Sequence, residues 1–247
     1  MEKKYSEKSI GFNHSGPREI LEWALKEFWP DIAMSTGFGA SGMVLIHMIS
    51  TINPKMKIIF LNTGFHFKET LEFKEKVIQK YGVNIIEYQA LISKEELFKT
   101  ISPHPYHDDP DRCCHMNKVE PMQRAIKGLR AWISALRRDQ SPTRVNTHIL
   151  EEYEGGLIKI NPLANWTKKE VWNYLYQHKV PYHPLHDQGY PSIGCEPCTQ
   201  SVGEGSHERS GRWVGKGKLE CGIHTFLKKV DPEGENENQK SKVKNQN

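Results

Sequence analysis

The 247-residue sequence lacks the features that would place a protein in a membrane or on nucleic acid. Its formal net charge is only +4, which is too weak to indicate a nucleic-acid partner, although a pI near 8.7 suits a small anionic substrate. No apolar run is long enough to span a bilayer, and the most apolar stretch, residues 43–49, contains His47. The first eight residues have no apolar core of a signal peptide. We therefore expect a cytoplasmic protein with neither a membrane nor a nucleic-acid partner.

Cysteine is also scarce, and four of the five cysteines fall into two pairs. Cys113 and Cys114 are adjacent, and Cys195 and Cys198 form a Cys-x-x-Cys motif. In a reducing compartment such residues more often bind metal or act in catalysis than form disulfides. Four thiolates in two pairs suit an iron–sulfur cluster or a structural zinc, and adjacent thiolates reach separate irons more easily than one small ion. The spacing favours a cluster, with buried inert thiols as the alternative for either pair alone.

Apolar segments of two kinds alternate along the chain, with turn residues between them. We predict strands at 31–36, 57–61, 83–88, 131–136 and 157–160, and helices at 15–29, 43–52, 68–81, 93–101, 118–127 and 167–178. This alternation predicts an α/β fold, a parallel sheet with helices on both faces. Ligands of such sheets bind at the carboxyl ends of the strands.

Composition divides the chain into four segments. Residues 1–14 are polar and expected to be poorly ordered, and residues 15–200 are expected to form the α/β domain. Residues 201–226 form an irregular C-terminal segment, rich in glycine and arginine, that carries Cys221 and is expected to be mobile. Residues 227–247 are charged and amide-rich, which predicts a disordered tail.

Two turns follow predicted strands at the edge of the sheet where ligands bind. The glycine-rich turn at residues 35–42 leads into a helix, so backbone amides and a helix N-terminus could approach an anion there. It is neither a Walker A loop nor Gly-x-Gly-x-x-Gly, and a plain glycine-rich turn is an equal alternative. The second turn is residues 62–64.

Arginines cluster in two loops, at residues 137–144 and 207–212. Guanidinium groups bind phosphate and sulfate through paired hydrogen bonds, so the clusters predict a substrate with several negative charges. A solvated surface loop is the alternative for any single arginine. Cations near Cys221 would stabilise its thiolate, the reactive form of the side chain. An incidental free cysteine is the alternative there.

These motifs together resemble the assimilatory adenylyl-sulfate (APS) and phosphoadenylyl-sulfate (PAPS) reductases over about residues 31–224. The matching segments are residues 60–64 (FLNTG), 112–115 (RCCH), 118–121 (KVEP), 137–144 (RRDQSPTR), 186–198 (HDQGYPSIGCEPC) and 220–224 (ECGIH). The resemblance implies an adenine-nucleotide α-hydrolase-like fold. Members with both cysteine pairs carry a [4Fe–4S] cluster and usually prefer APS.

The resemblance also implies roles for individual residues. Cys113, Cys114, Cys195 and Cys198 would ligate the cluster, and Cys221 would be the nucleophile. The substrate-binding residues would be Thr36, Gly37, Gly39, Ser41, Leu61, Thr63 and Gly64 at the adenosine end, Lys118 between cluster and substrate, and Arg144, Arg209 and Arg212 at the phosphosulfate.

Three positions depart from the family pattern. Asn62 replaces the acid of the usual Leu-Asp-Thr-Gly, and Asn117 stands where a basic residue is common. The first loop reads Thr36-Gly37-Phe38 in place of the Ser-x-Ser common in the APS branch. Because such loops contact the ribose and phosphate, the choice between APS and PAPS stays open.

The expected activity is thioredoxin-dependent reduction of APS to sulfite and AMP through a thiosulfonate on Cys221. PAPS reduction, alone or alongside APS, is the first alternative. An ATP-dependent thiolation enzyme should carry Ser-Gly-Gly-x-Asp-Ser at the first loop, which this sequence lacks. A zinc-binding interaction module is the remaining alternative. The expected protein partners are a thioredoxin-like dithiol protein and further copies of this chain in a homo-oligomer.

Overall fold

The computed structural model describes residues 2–203 and 205–230. Its strands are β1 (Ile32–Thr36), β2 (Lys57–Leu61), β3 (Asn84–Tyr88), β4 (Ala131–Ile133), β5 (Leu150–Tyr153) and β6 (Leu157–Ile160). Its α-helices are α1 (Glu2–Gly11), α2 (Pro17–Phe28), α3 (Ala40–Ile52), α4 (Lys68–Tyr81), α5 (Lys94–Thr100), α6 (Pro105–Asp108), α7 (Pro110–Cys114), α8 (Glu120–Ile126) and α9 (Lys168–Gln177). None of these helices within the described part of the chain is long and apolar enough to cross a membrane.

The strands form one sheet in the order β3-β2-β1-β4-β6-β5. All neighbours are parallel except β5 and β6, which form an antiparallel hairpin around the turn at Gly155 and Gly156. The chain moves outward from β1 to β3 on one side and continues from β4 on the other. The strand order therefore reverses between β1 and β4, and a crevice for ligands opens at such a point beyond the carboxyl ends of the strands.

Alternate residues of the strands pack into two different cores. Met34, Ile58 and Ile133 share one face of the sheet, which is covered by apolar residues of α2, α3, α4 and α9. On the opposite face, Ile59 and Trp132 pack against residues of α8. The predicted parallel sheet with helices on both faces is confirmed, because both faces of the strands are buried against helices.

The polar N-terminal segment is attached to the rest of the domain. Residues 2–11 are helical, and the following turn buries Phe12, which is only 5% exposed, against Trp23 at a ring-centroid distance of 5.0 Å. The Ser9 hydroxyl also accepts a hydrogen bond from the Leu150 backbone at 3.1 Å. A few anchoring side chains thus fasten a polar helix to α2 and β5, and the predicted poor order of residues 1–14 stays a prediction.

The C-terminal tail is likewise attached to the domain where the structure describes it. The Val230 amide donates to the Glu152 carbonyl at 2.9 Å, and the Glu154 amide donates to the Lys228 carbonyl at 3.0 Å. Lys229 forms an ion pair with buried Glu151 at 2.6 Å. Residues 227–230 thus extend along the free edge of β5, and the predicted disorder of the tail stays a prediction. Residues 231–247 lie outside the described part of the chain.

Candidate active site

A cavity of about 240 Å³ lies at the carboxyl ends of β1, β2 and β4, where the strand order reverses. It is lined by Cys221 and by all but one of the substrate-binding residues predicted from the sequence: Thr36, Gly37, Gly39, Ser41, Leu61, Thr63, Lys118, Arg144, Arg209 and Arg212. The exception is Gly64, which is exposed and has a left-handed φ of 70°. Gly64 shapes the turn after β2 and does not line the cavity.

The glycine-rich turn between β1 and α3 presents backbone to this cavity. The Thr36 hydroxyl accepts a hydrogen bond from the Phe38 amide at 3.0 Å, and a Cβ on Gly42 would lie 2.8 Å from the same oxygen. Phe38 takes a left-handed φ of 59° and buries its ring against Phe60. No side chain caps α3 at Gly39. The first amides of α3 are therefore left for an anion.

The four paired cysteines are buried in one region beside the cavity. Cys113 and Cys114 end α7, while Cys195 and Cys198 bracket a single 3-10 turn. The His66 segment forms an isolated bridge with Cys195 and brings the β2 turn against this pair. Cys114 and Cys195, which are 81 positions apart in the chain, thus lie in one buried cluster against which Cys221 packs.

The pKa values of these thiols are split by their surroundings. Burial and the other thiols raise the pKa of Cys113 to about 12. Burial would also raise the pKa of Cys195, but the Lys118 ammonium and the Thr63 hydroxyl, 3.3 Å from its sulfur, outweigh burial and lower it. Cys195 is therefore the thiol of this group that is most readily ionised, since a cation and a hydroxyl stabilise its thiolate.

Lys118 lies in a π-helical turn, His115–Val119, that joins α7 to α8. The helix predicted at 118–127 thus starts earlier in the chain and is continuous with α7. Burial opposes the Lys118 charge, but the neighbouring Cys195, Cys114 and Cys221 sulfurs outweigh burial and raise its pKa. The turn thus holds a buried cation near these sulfurs and in the lining of the cavity, and its role between cluster and substrate stays a prediction.

No group of three or more His, Cys, Asp or Glu side chains within residues 2–203 and 205–230 is gathered closely enough to hold a metal ion. The structure thus brings the predicted ligands into one region without showing a ligand set. The cluster remains a prediction.

The predicted anion-binding arginines do not all face the cavity. In the loop after β4, Arg137 is 1% exposed and bonds internally to Ser41, Asp139 and Glu208. Arg138 donates to the Thr147 carbonyl and the Asn165 side chain. Of the three arginines in this loop, only Arg144 lines the cavity.

The second group of arginines, at residues 207–212, lies closer to the predicted iron–sulfur site. Arg212 stacks over the Trp213 ring with its guanidinium 4.5 Å from the centroid, and its Nε lies 3.4 Å from the Cys198 carbonyl. A Cβ on Gly194 would lie 2.1 Å from Arg212 Nη2, so glycine is required there for the guanidinium to approach. Burial and repulsion from Arg144 lower the pKa of Arg209 to about 10.

Several residues that line the cavity were not among the site residues predicted from the sequence. They include His66, Gln140, His186, Glu208, Trp213, Glu220 and His224. Among the described residues, the buried side-chain polar atoms without a hydrogen-bond partner are His66 Nδ1, His186 Nε2, Arg209 Nε, Trp213 Nε1 and His224 Nδ1. All five belong to residues that line this cavity, and a ligand bound there would supply the partners that buried polar groups normally have. His186 and His224 lie in the matched motifs, whereas Trp213 has no such signal in the sequence.

Both asparagines that depart from the family pattern have structural partners. Asn62 donates to the Glu87 carboxylate on β3 at 2.9 Å, so a negative charge lies beside the position where the family carries its acid. Asn117 donates to the Cys113 carbonyl at 2.9 Å and lies 3.7 Å from the Cys113 sulfur. Its amide thus supports one of the predicted ligands without adding a charge.

Taken with the fold, this cavity places the chain among α/β proteins whose ligands bind at the carboxyl ends of the strands, with a cysteine beside several cations. The phosphoadenosine phosphosulfate reductase domain matches residues 31–201. The chain belongs to this reductase family and is an oxidoreductase, as the resemblance implied.

Curated relatives and solved structures agree with the family assignment. A protein of Bacillus thuringiensis (strain Al Hakam) named adenosine 5'-phosphosulfate reductase is 43% identical over 226 residues, covering 89% of this chain and 97% of the relative. A protein of the same name from Bacillus cereus (strain AH820) is 46% identical over 211 residues, covering 85% of this chain and 90% of the relative.

The structure is similar to that of the PAPS reductase of Candida auris, solved as a phosphate complex, with a TM-score of 0.70 and 31% identity over 82% of this chain and 98% of the other. Candida glabrata FMN adenylyltransferase shares the fold alone, with a TM-score of 0.55 and 16% identity over 82% of this chain and 68% of that one. The adenine-nucleotide α-hydrolase-like fold implied by the resemblance is confirmed.

Proposed function

We propose that this protein reduces APS to sulfite and AMP, with a thioredoxin-like protein as the electron donor. The observation that carries the proposal is that Cys221 lines the same cavity as the glycine-rich turn, Lys118 and three arginines. The relatives from Bacillus that cover most of the chain are named for the same reaction. The nucleophile, the nucleotide-binding turn and the anion-binding cations thus share one cavity.

The cavity offers different chemistry at its two ends. Near Thr36 and Leu61, backbone groups of the turns after β1 and β2 would hold the adenosine. Near Cys221, the cations Lys118, Arg209 and Arg212 would hold the phosphosulfate. They would offset the repulsion between an approaching thiolate and a polyanion, which is the main electrostatic barrier to the reaction.

In the first step, the Cys221 thiolate attacks the sulfur of APS. A bond forms between the two sulfurs while the bond from the substrate sulfur to the phosphate oxygen breaks. AMP leaves with that electron pair, and a thiosulfonate, Cys221–S–SO3⁻, remains on the enzyme. The phosphate oxygen is a good leaving group because it is weakly basic.

In the second step, a thiolate of the reduced donor attacks the Cys221 sulfur. Sulfite leaves with the electrons of the sulfur–sulfur bond, and a mixed disulfide forms between the two proteins. The second thiol of the donor resolves this disulfide and regenerates Cys221. Because both steps need free thiols, we place the enzyme in the reducing cytoplasm. We also propose that it forms a homo-oligomer.

The buried cysteine quartet fits a [4Fe–4S] cluster by the chemistry of its donors. Cys113, Cys114, Cys195 and Cys198 are all free, and Lys118 supplies a cation beside them. These four side chains would hold the cluster, which would contribute structural support and a local electrostatic field. Iron and acid-labile sulfide counted on protein purified without oxygen should each approach about four per chain.

The Cys221→Ser variant tests the nucleophile assignment. It should release no sulfite while keeping the ultraviolet–visible spectrum of the wild type, since Cys221 is not among the proposed ligands. Sulfite release from this variant would contradict the proposed role of Cys221.

PAPS is the second candidate substrate, because the similar structure from Candida auris is that of a PAPS reductase and the first loop lacks Ser-x-Ser. Initial rates with APS and PAPS, measured with the same reduced thioredoxin, separate the two. We expect a higher kcat/KM with APS, and the reverse order would assign the chain to the PAPS-reducing branch.

A further inference from the structure

Glu220, the residue before Cys221, is held by a group of side chains that converge on its carboxylate. Arg144 donates from Nε to Oε1 and from Nη2 to Oε2, both at 2.8 Å. The Thr143 hydroxyl donates to Oε1 at 3.1 Å, and Arg209 Nη2 lies 3.2 Å from Oε2. The Glu220 side chain is only 15% exposed. A paired, largely buried fork of this kind is among the strongest and most directional contacts available to a carboxylate.

Arg144 is committed mainly to this contact. Its Nη1 donates to Gln140 Oε1 at 2.5 Å, so protein partners occupy its Nε, Nη1 and Nη2 atoms at once. The side chain is 11% exposed. Arg144 therefore forms a preorganised binding site for the Glu220 carboxylate, and its guanidinium is held in position before any substrate arrives.

Arg209 joins the same segment to the cavity. Its Nη2 donates to the Leu219 carbonyl at 2.8 Å as well as contacting Glu220. Its Nε is buried and has no partner among the described residues. The Arg209 guanidinium thus binds Leu219 and Glu220, the two residues before Cys221, through Nη2. Its Nε stays available to an anion in the cavity.

The segment is fastened to the same loop at a second point. Glu208 accepts from Arg137 Nη2 at 2.6 Å, and Arg137 also donates to Ser41 in the glycine-rich turn. The loop after β4 therefore supplies an arginine to each end of the stretch from Glu208 to Glu220. These two contacts hold both ends of the stretch from Glu208 to Glu220 against the loop after β4.

We propose that Glu220 is a positioning residue that seats Cys221 against the substrate sulfur and stays bound to Arg144 during sulfur transfer. The proposal rests on the proposed function. It assigns Arg144 to Glu220 and leaves Arg209, Arg212 and Lys118 to meet the phosphosulfate. The competing mechanism is displacement, in which Glu220 is a substitute anion that leaves Arg144 and Arg209 when the substrate binds.

Three measurements on Glu220→Gln and Glu220→Asp test whether Glu220 positions Cys221. The first is the AMP burst in a single turnover of APS without thioredoxin, which reports transfer to Cys221. The second is the Kd for AMP. The third is the rate of Cys221 alkylation by limiting iodoacetamide, located by mass spectrometry. The control is Glu154→Gln, an exposed glutamate in the turn between β5 and β6.

If Glu220 positions Cys221, both variants should slow the AMP burst by at least about tenfold, because small misplacements of a reacting group are costly. The AMP Kd should stay within about threefold of wild type, since Glu220 does not compete with the nucleotide. Glu220→Asp keeps the charge but is too short for the fork, so faster alkylation of Cys221 in this variant reports opening of the segment and not a change in charge. Glu154→Gln should match wild type in all three assays.

A wild-type burst rate in both variants would overturn the proposal, as would AMP binding that is tightened about tenfold or more without a slower burst. The second result would establish displacement. If wild-type protein produced no AMP from APS, the proposed function would fail instead. The alkylation assay needs no substrate and would still decide whether Glu220 holds the Cys221 segment.

Discussion

The indole ring of Trp132 lies nearly parallel to the imidazole ring of His224, with centroids 5.5 Å apart and planes inclined by 12°. Trp132 is itself fixed in β4: its Nε1 donates to the Ser35 hydroxyl at 2.9 Å, and the Lys159 ammonium lies 4.9 Å from its ring centroid. Burial, together with the nearby Lys159 cation, lowers the pKa of His224. His224, which belongs to the same motif as Cys221, is thus a neutral imidazole stacked on a rigid side chain of the sheet.

Replacing Trp132 should loosen this motif. Trp132→Leu should lower the free energy of unfolding by about 2–4 kcal/mol, because a buried ring and its stacking partner are both lost. It should also lower kcat several-fold, since His224 no longer has a platform. Trp132→Phe keeps a ring and loses only the Ser35 hydrogen bond, so it should retain most of the activity. Thermal unfolding and steady-state kinetics of the two variants check this, and equal activity losses would contradict a role for stacking.

Restoring the family acid at position 62 should be unfavourable in this chain. Asn62→Asp would place a carboxylate against Glu87, where the present amide donates at 2.9 Å. We expect a loss of about 1–2 kcal/mol of unfolding free energy, since a hydrogen bond becomes a like-charge contact. Adding Glu87→Gln should recover most of it, because the amide and the carboxylate then exchange places. Urea unfolding of the single and double variants measures the coupling; losses that simply add would rule out the pair.

His183 should make stability depend on pH in the acid range. Its Nδ1 accepts from the Leu185 amide and its Nε2 donates to the Thr70 hydroxyl, so the fold holds a neutral imidazole. Burial, with the neighbouring His186 and His66, lowers its pKa to about 4 from 6.5. Between these values the unfolded chain binds the extra proton, so stability is full above pH 6.5 and is lost as pH falls through 4.

The loss assigned to His183 should amount to about 3 kcal/mol in the unfolding free energy. His183→Gln can still donate to Thr70 but does not titrate, so the difference between wild type and variant should shrink as the pH is lowered. Chemical unfolding at pH 7, 5.5 and 4 checks this expectation. Parallel pH profiles for the two proteins would show that His183 is not the titrating group.

Arg137 should matter for stability more than its place in a predicted anion-binding loop suggested. Arg137→Met would leave Asp139 and the partly buried Glu208 without the buried Arg137 cation, and we expect a loss of about 3–5 kcal/mol. Arg138→Met is the matched control, because Arg138 bonds to Asn165 and the Thr147 carbonyl instead of a buried carboxylate. Its cost should be less than half as large by thermal unfolding. Equal costs would mean that the ion pairs of Arg137 contribute nothing beyond packing.

Most of the fold could be predicted from local sequence patterns. The helix predicted at 167–178 matches α9, and its start at Lys168 is fixed by a local capping box in which Thr167 and Glu170 make both hydrogen bonds. Strand–helix alternation likewise predicted the parallel sheet and the edge where the cavity lies. The polar N-terminal helix was missed because its order depends on contacts with α2 and β5. Strand β4 ends at Ile133, three residues earlier than predicted, and Ala135 and Leu136 line the cavity instead.

The sequence by itself determined the chemical inventory of the site: the paired cysteines, Cys221, the glycine-rich turn and the arginine clusters. Only the tertiary structure decided which arginine meets which carboxylate. Arg144 and Glu220 are 76 residues apart, and Arg137 and Glu208 are 71 apart. Periodicity and capping are short-range properties that a local stretch of chain carries, whereas charge pairing depends on which loops the strand order brings to the same edge of the sheet. The sequence therefore predicted an anion site, and the fold revealed that one of its arginines already holds a carboxylate.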